Sequence, residues 1–364
     1  MSGFIIVNLA LGAIVLFLIL PSRPQTGGLA KLVLGICVGL AAGVVLINVT
    51  TSRLGTSRDS NIRPVVKYAL EQADPSKAQL LLVGSSYSAL GIDSGVVERE
   101  MRKKGYPLQV LSLSKPGNFV MSQDYTIEYY LDRAKKLPDV IFIELGPEFY
   151  TDPGDMGPSY LDTGTAISDH SADQLWWRAR SFTVYPATPL EKATKYWNLS
   201  THFLFHTFDL GLSGQLISDN DLSPLPGFGA ETKSPKPVLT TDIAPIANPA
   251  MPVSNSPVPP QVRFLMDFRR MQVQKLKARG VKVVGFYQPP MISVDMRVYG
   301  IQTCRGLRGV PCITFEDPAI RRTLDNPKLW FDSAHLLYPG AEKYSAWFAD
   351  RLAASLKPFW RSSK

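Results

Sequence analysis

A chain of 364 residues with 45% hydrophobic content can fill one large core or two modest ones. Its formal net charge of +8 suits an anionic membrane surface or an acidic glycan. No recognised nucleic-acid-binding motif accompanies that charge, which makes nucleic acid a poor alternative as a partner.

Much of the apolar weight lies at the N-terminus. Phe4 to Leu20 and Leu32 to Val49 are apolar runs near the lower end of the about 20 residues needed to span a bilayer. No basic region precedes the first run, and Pro21-Ser22-Arg23 is a poor cleavage site. Residues 1–50 therefore read as two transmembrane helices, a retained hairpin rather than a signal peptide plus one anchor. Gly35, Gly39 and Gly43 form a stripe of small residues on the second span, suited to packing on the first span or on a separate membrane protein. Arg23 and Lys31 in the connecting loop favour a cytoplasmic loop and an exported C-terminal domain, whereas Arg53, Arg58 and Arg63 favour the reverse. Cys304 and Cys312 flank a short Gly-containing loop that a disulfide can close, which suits an oxidising compartment. They tip the balance towards an inner-membrane protein whose catalytic domain is periplasmic or otherwise extracytoplasmic. Cys37 reads as a small apolar residue within a span.

Residues 51–77 read as a polar stalk with a short helix around Val65 to Gln72. From there strands and helices alternate. Strands are expected at Gln79–Val83, Leu108–Leu113, Val140–Leu145, Val281–Phe286 and Cys312–Phe315. Helices are expected at Ser94–Lys104, Ser122–Leu137, Val262–Arg279 (with a stop at Gly280) and Tyr338–Leu356. The almost unbroken apolar run of the third strand is that of a parallel strand covered on both faces. The pattern predicts a three-layer α/β/α domain with a parallel sheet. At about 150–261 the rhythm is lost. Aromatic residues including Trp176, Trp177, Tyr196 and Trp197 come first, and a segment crowded with prolines from Pro224 to Pro260 follows. This stretch reads as an insertion, whose aromatics pack in a core, stack on sugar rings or rest at a membrane interface.

Functional groups of an open parallel sheet gather at the carboxyl ends of its strands. The first strand ends in Gly84-Ser85-Ser86, the second in Ser114-Lys115-Pro116-Gly117-Asn118, and the third in Gly146-Pro147-Glu148. Near the C-terminus, Asp332 precedes His335 by three residues, so the carboxylate can orient the imidazole and leave its other nitrogen to take a serine proton. Ser86 is the expected nucleophile, with Ser85 and Ser88 as alternative hydroxyls. Lys115 is placed to steer an anionic substrate, or else is a solvated surface lysine. His202 and His206 have the spacing of a helical metal pair but lack acidic or cysteine neighbours, and no metal or cofactor is expected.

These residues resemble the blocks of the SGNH (GDSL-like) esterase and acyltransferase superfamily over about residues 78 to 357, which implies a catalytic domain over that span with a flavodoxin-like parallel sheet. The resemblance implies that Ser86, Asp332 and His335 form the catalytic set, and that Ser86 and Gly117 contribute backbone N–H groups to an oxyanion hole. Two positions depart from the pattern: Ser85 stands where the family usually has Asp, and Glu148 stands where it usually has an Asn donor. Asn118 is the candidate replacement donor, and Glu148 a candidate for binding an acceptor hydroxyl. Within the superfamily, the Gly-Ser-Ser block and N-terminal anchor are most similar to extracytoplasmic polysaccharide O-acyltransfer proteins that work beside membrane-bound O-acyltransferases. The implied function is transfer of an acetyl or similar small acyl group through an acyl-serine. A carbohydrate esterase and a catalytically silent glycan-binding or assembly subunit are the alternatives. The implied partners are a polysaccharide acceptor, an acyl donor delivered by a membrane-bound O-acyltransferase, and the lipid bilayer.

Overall fold

A computed structural model describes residues 63–115, 118, 120–145, 260–290, 294–332 and 335–360, with isolated positions at 177, 180, 188–190, 193 and 258. The two apolar runs, the cytoplasmic-loop candidates, Cys37, Gly117, Glu148 and most of the insertion lie outside these residues. Among the described residues no helix is long and apolar enough to cross a membrane.

The described elements run in the order α1 (Arg63–Gln72), β1 (Ala78–Val83), α2 (Ser86–Gly91), α3 (Ser94–Lys103), β2 (Leu108–Ser112), α4 (Val120–Leu131) and β3 (Val140–Glu144). After the insertion come α5 (Pro260–Ala278), β4 (Val283–Tyr287), α6 (Val294–Gly306), β5 (Cys312–Ile313), α7 (Pro318–Leu324) and α8 (Tyr338–Trp360). All five strands are parallel, in the order β2-β1-β3-β4-β5. This is the doubly wound order in which ligands occupy the crevice beside the first strand, where the winding direction reverses.

The alternation of side chains along each strand divides the core in two. Leu80, Leu82, Val140 and Phe142 face one layer, where they meet Val97 and Met101 of α3, Ile320 and Leu324 of α7, and Tyr344, Phe348 and Leu352 of α8. Leu81, Val83, Ile141 and Ile143 face the other, where they meet Val66 and Ala69 of α1, Ile127 and Tyr130 of α4, and Val273 and Leu276 of α5. The result is a three-layer α/β fold. α1 is part of it, so the fold takes in residues that the sequence assigns to a stalk.

Local chemistry explains where the elements depart from the expected spans. β4 starts two residues late because the Val281 N–H still bonds to Leu276 O at the end of α5, around Gly280 at φ 101°. β5 stops at Ile313 because the Phe315 N–H turns to the Gln288 side chain, at 3.0 Å, instead of continuing the ladder. α4 ends at Leu131, where Arg133 and Ala134 both bond to Tyr130 O, and Leu137 packs on the core from the following loop. Cys304 and Cys312 are joined by a disulfide that ties the end of α6 to β5. From the insertion, Trp177 packs its ring against Phe264 and Phe268 of α5, at centroid distances of 5.5 and 5.4 Å.

Candidate active site

Strand β1 delivers Gly84-Ser85-Ser86 to the carboxyl edge of the sheet, next to the point where the strand order reverses. Ser85 is the N-cap of α2, and its Oγ accepts the Tyr87 N–H at 3.3 Å. Ser86 is therefore the first helical residue. A backbone N–H at that position has no partner within its helix, and none is formed by Ser86 among the described residues.

The loop carrying Asp332 and His335 is clamped before it reaches this edge. Trp330 and Leu336 form an antiparallel bridge, the Phe331 N–H donates to His335 O, and the Leu337 N–H donates to Leu329 O, both at 2.8 Å. Trp330 is fully buried and its Nε1 donates to Leu324 O at 2.8 Å, which anchors the loop to α7. At the start of α8, a Cβ on Gly340 would lie 2.6 Å from Leu329 O, so only glycine lets the helix approach this loop so closely. Asp332 acts on its neighbour twice. Its Oδ1 accepts the His335 N–H at 2.8 Å, and its carboxylate lies 2.8 to 2.9 Å from His335 Nδ1. The other ring nitrogen, Nε2, lies 2.9 Å from Ser86 Oγ. With Nδ1–H directed at Asp332, Nε2 is left as the acceptor facing the hydroxyl. Tyr87 packs its ring 5.4 Å from that of His335.

The three serines of the first block have different surroundings. Ser85 and Ser88 are buried, at 0% and 1% exposure, whereas Ser86 is partly exposed. Both buried hydroxyls bond to Glu144, the last residue of β3. Ser85 Oγ donates to Glu144 Oε1 at 2.6 Å, the Ser85 N–H donates to Oε2 at 2.8 Å, and Ser88 Oγ also donates to Oε2. Behind them, the Tyr287 hydroxyl lies 2.7 Å from Ser88 Oγ. Register brings this group together, since Glu144 on β3 is paired with Tyr287 on β4. Burial pushes the Glu144 carboxyl above the ordinary carboxylate range, opposed by the Ser85 and Ser88 hydrogen bonds and the nearby Arg269 charge. Burial also raises the Tyr287 phenol, and the Glu144 charge adds to this. Neither residue was singled out from the sequence. The available signal was a carboxylate inside an otherwise apolar parallel strand, where a buried charge requires partners.

Of the other expected site residues, Asn118 is fully buried and is corrected as an oxyanion donor. Its Nδ2 donates to Gly84 O and Leu113 O at 3.1 and 3.2 Å, and its N–H to Lys115 O, so its donors hold the β2 loop against β1. Lys115 is 5% exposed, not a solvated surface lysine, and its N–H donates to Gly84 O. Gly117 and Glu148 lie outside the described residues, as do His202 and His206. Among the described residues no cluster of His, Cys, Asp or Glu could hold a metal ion. A cavity of about 530 Å³ lies elsewhere, at the amino end of β1, where Val66, Leu70, Gln79, Tyr129, Tyr130 and Arg133 line it.

Neither family models nor curated proteins give a match to this chain.

Proposed function

We propose that this protein is a membrane-anchored serine acyltransferase that moves an acetyl or similar small acyl group onto an extracytoplasmic polysaccharide. The observation that carries the proposal is the line from Asp332 through both ring nitrogens of His335 to Ser86 Oγ, with every gap at 2.8 to 2.9 Å. Such spacing matches what a serine needs for activation by an adjacent base and its orienting carboxylate. His335 Nε2 takes the Ser86 proton as Oγ attacks the acyl carbonyl. The tetrahedral intermediate then collapses, and the imidazolium gives its proton to the departing group. In the second half-reaction a sugar hydroxyl loses its proton to His335 and attacks the acyl-serine, which restores Ser86. Asp332 stabilises the imidazolium in both halves.

The N-terminal apolar runs support a hairpin anchor, and the Cys304–Cys312 disulfide supports an oxidising, extracytoplasmic setting. A membrane-bound O-acyltransferase is the proposed source of the acyl donor. The same Ser86 and His335 would hydrolyse the acyl-serine if water replaced the sugar, giving a carbohydrate esterase.

The test is to trap the intermediate. Wild-type protein incubated with an activated acetyl ester should gain one acetyl group on Ser86, and a polysaccharide acceptor should discharge it faster than water does. Ser86→Ala and His335→Ala should reduce turnover to near background while remaining folded, and Asp332→Asn should lower kcat by about four orders of magnitude. Undiminished turnover in folded Ser86→Ala would reject acyl-serine chemistry. Discharge by water that no glycan accelerates would favour the esterase.

A further inference from the structure

We propose that Glu144 is the positioning residue for the nucleophile: as a fixed hydrogen-bond acceptor beneath β1, it sets where the first turn of α2 begins and so holds Ser86 Oγ on His335. This role rests on the acyl-transfer function proposed for Ser86.

Among the described residues Ser86 Oγ bonds to His335 Nε2, and its backbone follows wherever Ser85 is held. Ser85 is held from both of its donors. Its N–H lies 2.8 Å from Glu144 Oε2 and its Oγ lies 2.6 Å from Oε1, so one carboxylate fixes the residue in two directions. Ser88, one turn into α2, donates to the same Oε2, which fixes the rotation of the short helix as well as its start. Gly84 makes this approach feasible, because a Cβ there would lie 2.6 Å from Glu144 Oε2. Glu144 is itself held rigidly. It ends a fully buried strand, its backbone carbonyl accepts Arg269 Nη2 at 2.9 Å, and the residue is completely inaccessible to solvent. An inaccessible carboxylate cannot touch a substrate, so its influence on the reaction passes through Ser85 and Ser88. Displacing a reacting group by about 1 Å costs on the order of 100-fold in rate, and the bonds to Glu144 act directly on the residue that precedes Ser86.

Position and charge can be separated with two near-isosteric variants. Glu144→Gln removes the charge but leaves an amide oxygen where Oε2 stands, able to accept the Ser85 N–H and the Ser88 hydroxyl. The Ser85 hydroxyl can then rotate to accept from the amide nitrogen. Glu144→Asp keeps the charge but withdraws the acceptor by one methylene. In the full-length protein, with Ser86 acylation by an activated acetyl ester as the readout, Glu144→Gln should stay within about tenfold of wild type. Glu144→Asp should lose about 100-fold in kcat with KM unchanged. The reverse order, or two variants equal to wild type, would overturn the proposal. If thermal melting shows that Glu144→Asp is poorly folded, Ser85→Ala takes its place: it removes the bond to Oε1 and the cap on the Tyr87 N–H but keeps the Ser85 N–H on Oε2. A fall of about tenfold in kcat with KM unchanged is then expected, and an unchanged kcat would overturn the proposal. Wild-type acylation of Ser86 is the control. Its absence would remove the acyl-transfer function itself, whereas acylated wild type with the wrong variant order would remove only the role of Glu144.

Discussion

At the scale of single residues, the candidate site divides into a part written in the sequence and a part hidden by it. Ser86, Asp332 and His335 were legible because each sits in a short polar block that interrupts an apolar element, and because the spacing of Asp332 and His335 has one obvious chemical use. Glu144 was not, since Val-Ile-Phe-Ile-Glu reads as a strand with a polar end, and only the three-dimensional register shows that Ser85, Ser88 and Tyr287 converge there. Asn118 misled for the complementary reason. A polar residue in an edge loop suggests an outward-facing donor, but its amide is turned inward to satisfy two carbonyls. Gly84 gives a direct test of how tightly this inner group is packed. A methyl group at Gly84 would lie 2.5 Å from Ser88 Cβ and 2.6 Å from Glu144 Oε2, so one of them must move. Gly84→Ala should cost about 1–3 kcal/mol in stability through overpacking. It should also lower the acylation kcat by on the order of 100-fold through displacement of Ser86. Denaturant melts and single-turnover acylation on the same sample would check both.

At the scale of elements, the sequence located all five strands and the long helices because their apolar periodicities are strong. It missed α2, α6 and α7, which are short or weakly patterned. α7 is instead defined by its start: Asp317 caps it by accepting the Ala319 N–H at 2.8 Å, with Pro318 at the first helical position. The same carboxylate reaches across to α8, where it accepts Trp347 Nε1 at 2.9 Å and pairs with Arg351. The Trp347 bond holds the Asp317 carboxyl below its ordinary value of 3.8. Burial opposes this, and the Ala319 cap and Arg351 add to the lowering. A depressed carboxyl stabilises the fold at pH above the unfolded value, and that contribution is lost as pH falls through the lower folded value. Asp317→Ala should therefore destabilise the protein at neutral pH by about 1 kcal/mol or somewhat more, the cost of a lost cap. The gap between variant and wild type should narrow as pH drops below about 3.8. Thermal melts across that range would check it, and a gap that widened towards acid would contradict the assignment.

At the scale of the whole molecule, the sheet order places Ser86 at the crevice where the winding reverses, and the two helical layers bring α8 and its preceding loop to the same edge. The parallel architecture was readable from the alternation of strands and helices. The strand order was expected only through the flavodoxin-like resemblance, because hydrophobic pattern does not say which strands become neighbours. The proposed topology puts both termini outside the cytoplasm with Arg23 to Lys31 inside. A reporter fused after Lys364 that works only in the periplasm should be active, and Cys304 and Cys312 should resist alkylation until reduced. Activity only from a cytoplasmic reporter, or ready alkylation without reductant, would place the domain on the other side of the membrane and remove the glycan substrate.

Ser86 and His335, the proposed nucleophile and base, are separated by 249 residues of chain. At about 5–20 residues per second, His335 emerges roughly 12 to 50 seconds after Ser86 during synthesis. Throughout that interval Ser86 is an ordinary alcohol, with no partner to draw off its proton. On the proposed chemistry, the order of the chain keeps the site incomplete until His335 has emerged. The insertion at about 150–261 supplies a little under half of that interval.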